Sequence, residues 1–178
     1  IVVLITLAIT PESKSILRFG DIHNLALKEK WLGIDGNSSW KKNGIQLGLF
    51  ISIATGIFMF IAVKYSNSLD HFNWAFLPFI LLFSLTNSFS EEMIFRFAVN
   101  GNLLSIGSRY FPLIISAVLF GLPHYQGFPN GVIGVIMAGV LGYVLSKATS
   151  ETHGLGIAWV IHFIQDIIIF TAMFMMNM

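Results

Sequence analysis

The chain contains no cysteine, which removes disulfide frameworks, thiolate metal sites and cysteine nucleophiles together. Charge is scarce as well: Asp, Glu, Lys and Arg make up 11% of the 178 residues, against roughly a quarter in soluble domains. The formal balance is +1, so no basic field exists to hold nucleic acid and no acidic one to hold a basic partner. What fills the space is apolar. Hydrophobic residues reach 55%, with 17 Phe, and mean hydropathy is +0.77. Such a chain uses the lipid bilayer as its solvent, and its length suits one domain of several spanning helices.

The uncharged runs can be placed directly. Residues 45–63, 74–90, 112–128, 131–146 and 155–176 are apolar stretches, each near the ~20 residues that cross ~30 Å of hydrocarbon. The second continues in helical pattern through Val99, and the third opens on Pro112, where a helix accepts proline. Turn residues separate the runs: Asn100-Gly101, Gly107-Ser108, Pro129-Asn130-Gly131 and His153-Gly154. The expected fold is an all-α polytopic membrane bundle with at least five spans. Residues 1–10 read as the end of a further span. Residues 11–44 form a basic segment with an amphipathic helix on the membrane surface, and the helical domain covers 45–178 with its core at 74–176. Placing residues 10–44 in the cytoplasm puts nine of the ten Lys and Arg on that side, leaving Lys64 outside. The expected location is therefore the cell membrane, multi-pass.

Against this background the ionisable residues inside the spans stand out, because each is costly there. They are Glu91, Glu92 and Arg96 in the second run, His124 in the third, and His162 with Asp166 in the fifth. Any one has an ordinary explanation: a helix reaching the interface, a packing histidine, a hydrogen-bonded pair. Counting at ~1.5 Å per residue from the nearest turns, however, sets all of them very roughly 12–18 Å from the same face. Three spans thus bring titratable groups to one level. Glu92 and Arg96 are spaced i,i+4 and can pair on one face. Glu91, turned by roughly 100°, is then the carboxylate directed at other helices. Phe120 is i,i+4 to His124 and packs beside it, and Asp166 shares a face with His162 and can orient its ring. Gly134, Gly139 and Gly142 would let the fourth helix approach its neighbours closely.

In that order, Glu91-Glu92-Met93-Ile94-Phe95-Arg96, Phe120-Gly121-Leu122-Pro123-His124 and His162-Phe163-Ile164-Gln165-Asp166 resemble the EExxxR, FxxxH and HxxxN/D motifs of the CPBP intramembrane proteases. That family is also called the Abi or CAAX-protease family and includes the Ras-converting enzymes. Two positions depart from it: Phe97 stands where glycine is common, and Asp166 where asparagine is better known. The resemblance implies hydrolysis of a peptide bond by a glutamate-activated water. Glu91 would be the base toward a water shared with His124, and His162, held by Asp166, would face the developing oxyanion. His124 would return a proton to the leaving amine, with Glu92–Arg96 as support. The partners would be a peptide or protein substrate and the lipid bilayer, with no nucleic acid. No cofactor is expected. Zinc is conceivable on two histidines and two carboxylates, but no HExxH occurs, and the YD and GxGD pair of an aspartyl enzyme is absent too. Two non-proteolytic readings stay open: a membrane binding protein in bacteriocin self-immunity or regulation, and an ion relay in a small transporter, against which the absence of repeated halves speaks.

Overall fold

In the computed structural model, residues 14–106 and 108–176 are described; the proposed remnant of a span at residues 1–10 lies outside them. Five main helices follow one another: α1 (Trp40–Tyr65), α2 (Leu77–Glu91), α3 (Tyr110–Gly121), α4 (Gly131–Thr152) and α5 (Gly156–Met176). Among the described residues, β pairing is limited to the bridges Leu25–Ser39 and Glu29–Ile34. The protein is an all-α membrane bundle. Taken singly, α1, α4 and α5 are long and apolar enough to cross a membrane. Helix α2 does not end at Glu91: its winding loosens to a π-helix over Glu92–Asn100 and closes with an α turn at Gly101–Leu103. The third expected span is shorter than its apolar run, because Pro123 removes a backbone donor and the chain tightens to a 3-10 turn over Leu122–Gln126.

Packing follows the apolar faces. Helix α3 lies against α4, while α1, α2 and α4 all touch α5. The outward faces carry Phe50 at 72% exposure, Val132 at 65% and Ile53 at 61%, a surface that water would not tolerate as a continuous coat but that lipid does. Of the three glycines expected to allow close approach, Gly142 and Gly134 clearly do. A Cβ on Gly142 would sit 3.0 Å from the Phe120 ring, and one on Gly134 would fall 2.0 Å from the Pro129 carbonyl oxygen. Gly139 has more room, with its nearest neighbour outside the helix at 3.8 Å.

Among the described residues, the expected surface helix is not formed between Arg18 and Ser39. The basic segment there is an irregular strap, broken by Gly20, Gly33 and Gly36, all at positive φ, where other residues are strained. An Asx turn at Asp35 accepts the Asn37 amide at 2.8 Å, which holds the exposed Asp35 carboxyl below the usual carboxylate range. The strap is fastened to the α4–α5 turn by backbone bonds from Asp21 to Thr152, Leu155 to Arg18 and Gly156 to Phe19. It carries Ala26 and Ile34 into a core with Trp40, Leu47, Val144 and Ala148.

Charges complete this attachment, which we call the clasp. Lys147, wholly buried, donates to Leu27 O at 2.9 Å and pairs with Glu151 at 2.5 Å. Glu151 also accepts from Trp40 Nε1 and the Leu27 amide. Arg109 reaches Glu29 at 3.5 Å, and the Tyr143 hydroxyl donates to the same carboxylate.

Candidate functional site

Deep between α2 and α5 the sequence places two adjacent glutamates opposite a histidine, and the winding change falls at that step. Glu91 is the last α residue and Glu92 the first of the π segment. Segments of π-helix are rare and gather at functional sites. His162, on the inner face of α5, sits between the two carboxylates: its Nδ1 lies 2.8 Å from Glu92 Oε1 and its Nε2 3.4 Å from Glu91 Oε2. Asp166, one turn further along α5, approaches Nε2 at 3.7 Å. Three carboxylates therefore surround one imidazole. A carboxylate only accepts, so the short contact makes Nδ1 a donor to Glu92.

The Glu92–Arg96 pair forms as expected, at 3.5 Å with both side chains shut off from the surface. Glu92 does more than support Arg96, however. It also holds His162 through Nδ1, while Asp166, expected to orient the ring, lies 3.7 Å from Nε2. Asp166 is held in turn by Asn87 of α2, whose Nδ2 donates to it at 3.1 Å and to Glu91 Oε1 at 3.4 Å. The guanidinium of Arg96 donates to Gly142 O at 3.3 Å and stacks 4.2 Å from the centre of the Phe120 ring, a contact that is strong when desolvated.

Phe120 is the hub that ties the third motif residue to this cluster. Its ring lies edge-on to His162 at 5.4 Å and tilted against His124 at 4.9 Å, so the expected Phe120–His124 packing is present. His124 lies on the 3-10 turn that continues α3, and its Nδ1 donates to Phe120 O at 2.8 Å. This fixes its proton on Nδ1 in the neutral ring and leaves Nε2 as the acceptor. His124, His162 and Asp166 line one cavity of about 270 Å³ with Phe120, Gln165 and Thr55. On the other side of α2 and α5 a groove of about 580 Å³ runs past Asn87, Ser90, Phe83 and Phe170. The Glu91 side chain, 25% exposed, is the most open of the three carboxylates.

No group of three or more His, Asp and Glu among the described residues is arranged to hold a metal ion. Both ring nitrogens of His162 face carboxylates, and His124 holds a backbone carbonyl through Nδ1.

Residues 73–168 match the family model of the type II CAAX prenyl endopeptidase, Rce1-like, domain. The chain belongs to that family. Neither the curated proteins nor the solved structures compared with it give a match. The matched region contains all three motifs of this CAAX endopeptidase-like chain, and its fold brings Glu91, Glu92, Arg96, Phe120, His162 and Asp166 into one connected group. His124 joins through the Phe120 ring and the shared cavity. Family membership supports an intramembrane protease acting on protein substrates at the membrane. One participant escaped the sequence reading: Asn87, four residues before Glu91 and hence on its face. An uncharged amide in a run of Ser, Thr and Asn carries little signal of its own.

Proposed function

We propose that this protein is an intramembrane endopeptidase that hydrolyses a peptide bond with a water activated by Glu91. The observation that supports the reading most is the imidazole of His162 wedged between two adjacent glutamates at the start of a π-helix, beside a cavity that holds a second histidine. Glu91, the least buried of the three carboxylates, takes a proton from water as the oxygen attacks the scissile carbonyl carbon. The doubly protonated His162 ring donates through Nδ1 to Glu92 and presents Nε2–H to the oxyanion, an interaction whose loss typically costs a factor of 10²–10³. As the C–N bond breaks, the proton held by Glu91 passes to the leaving amine, with His124 Nε2 as relay. The products are a carboxylic acid and an amine, which by proton transfer become carboxylate and ammonium. Glu92, pinned by Arg96, keeps the imidazole turned so that Nε2 faces the reaction. A carboxylate at position 166 accepts hydrogen bonds and cannot donate one when ionised, so oxyanion stabilisation falls to His162 and Asp166 serves as a fixed negative wall beside it.

The test compares peptide termini in membranes and medium from cells carrying wild type, Glu91→Gln or no protein. The reading expects a set of new termini that appears with wild type alone. Termini identical in the variant and wild type, and different from cells lacking the protein, would assign the function to binding and overturn it.

A further inference from the structure

Asn87 stands between two carboxylates of the site. Its amide nitrogen is 3.1 Å from Asp166 Oδ2 on α5 and 3.4 Å from Glu91 Oε1 one turn along α2. An amide NH2 has two hydrogens, and here each has one carboxylate oxygen to meet. Both neighbours are acceptors, so the amide can present only its nitrogen to them. Asn is also a short side chain able to offer two uncharged N–H donors from one atom.

The consequence for Glu91 is geometric. With Oε1 tied to Asn87, the carboxylate is turned so that Oε2 faces His162 Nε2 at 3.4 Å, an ion-pair contact that leaves the oxygen without a hydrogen bond. The charged and titratable groups around this point are Glu92 and Arg96 on the same helical run, His162 and Asp166 on α5, and His124 beyond Phe120. Arg96 is committed to Glu92 and Gly142 O. Asn87 is therefore the group that separates Glu91 from Asp166 without adding charge. It also lines the groove of about 580 Å³ between α2 and α5, so it forms the wall between that groove and the reacting carboxylate.

We propose that Asn87 is a positioning residue for the hydrolysis, fixing the rotamer of Glu91 through Oε1 and holding Asp166 at the same time. The inference rests on the proteolytic reading above and adds a residue to it.

The substrate for the test is the synthetic peptide spanning the cleavage point found in the termini comparison, turned over by purified full-length protein in detergent. Asn87→Asp places a third acceptor where the donor stood. It should lower kcat on the order of 100-fold, the scale of a slightly misplaced catalytic group, with KM within about threefold. Exchanging the partners in the double variant Asn87→Asp/Asp166→Asn restores one amide between the carboxylates and should recover roughly tenfold of the loss. A structural role alone would not produce rescue by exchange. Asn87→Ala, which adds no charge, guards against misfolding of the aspartate variant and should also lower kcat with its melting midpoint kept. If Asn87→Ala and Asn87→Asp turn over at the wild-type rate while Glu91→Gln is inactive, the positioning role is wrong and the proteolytic reading stands. An exchange variant no better than Asn87→Asp overturns the coupling with Asp166. If Glu91→Gln itself cleaves normally, both inferences fall.

Discussion

The clasp at the strap end of α4 and the cluster between α2 and α5 both bury charge, and they treat it differently. In the clasp, Lys147 and Glu151 are closed pairs: the ammonium has a carboxylate and a carbonyl, and both oxygens of Glu151 have partners. No buried side-chain nitrogen or oxygen of the clasp lacks a hydrogen bond. Around His162 the opposite holds. Glu91 Oε2, Glu92 Oε2 and Arg96 Nε and Nη1 are buried without one, and ion-pair and ring contacts are left to offset the cost. Buried polar groups in native structures are usually satisfied, and each exception calls for an explanation. The clasp spends its hydrogen bonds on holding a strap; the cluster keeps some of its capacity unused, which the proposed hydrolysis would use for a water and a peptide carbonyl.

The largest effect should come from changes at Glu92. Glu92→Gln removes the carboxylate that holds Arg96 and His162 together. Losing one partner of a buried pair costs about 3–5 kcal/mol, so the melting midpoint in detergent should drop sharply and turnover should fall by a further 10²–10³ per folded molecule. The clasp responds in one dimension only. Lys147→Met, which leaves Glu151 and Glu29 with Arg109 alone, should lower stability by about 3–5 kcal/mol as well, while turnover per folded molecule stays as in wild type. A loss of turnover there, measured at a temperature where the variant is folded, would dissolve the contrast between the two regions.

Smaller still is Gly142→Ala. Its Cβ would meet Phe120 at 3.0 Å and the Ala117 backbone at 3.2 Å, and overpacking of this kind costs about 1–3 kcal/mol. Because Phe120 touches Arg96, His124 and His162, the same change should lower turnover more than an equally destabilising substitution in the clasp. Equal turnover losses at matched stability would sever Phe120 from the site.

Much of this arrangement can be read from the residues. The apolar runs fall on the five helices because in lipid a continuous apolar run satisfies its backbone within its own helix. The shared depth of Glu91, His162 and Asp166 is a matter of counting residues from turns. From Arg18 to Ser39 the strap is irregular because its apolar residues, spaced as on a helix face, are interrupted by Gly20, Gly33 and Gly36 at positive φ, and those breaks win over periodicity. That Glu92 joins Asp166 at His162 is hidden for a different reason. Asp166 is near in sequence, but Glu92 is closer in space by 0.9 Å (3.7 against 2.8 Å), and the one-residue step from α to π winding that lets both glutamates reach one ring leaves no trace in composition. His124 sits on a 3-10 continuation of α3 because Pro123 precedes it, a signal that the sequence carries openly.

The central claim is that the open cluster performs chemistry and the closed clasp does not, and one paired measurement addresses it: turnover per folded molecule for Glu91→Gln and Lys147→Met on the same peptide. The account predicts that Glu91→Gln melts like wild type and loses turnover by 10²–10⁴, the usual contribution of a positioned general base, while Lys147→Met melts lower and turns over normally. Wild-type turnover in Glu91→Gln would contradict it.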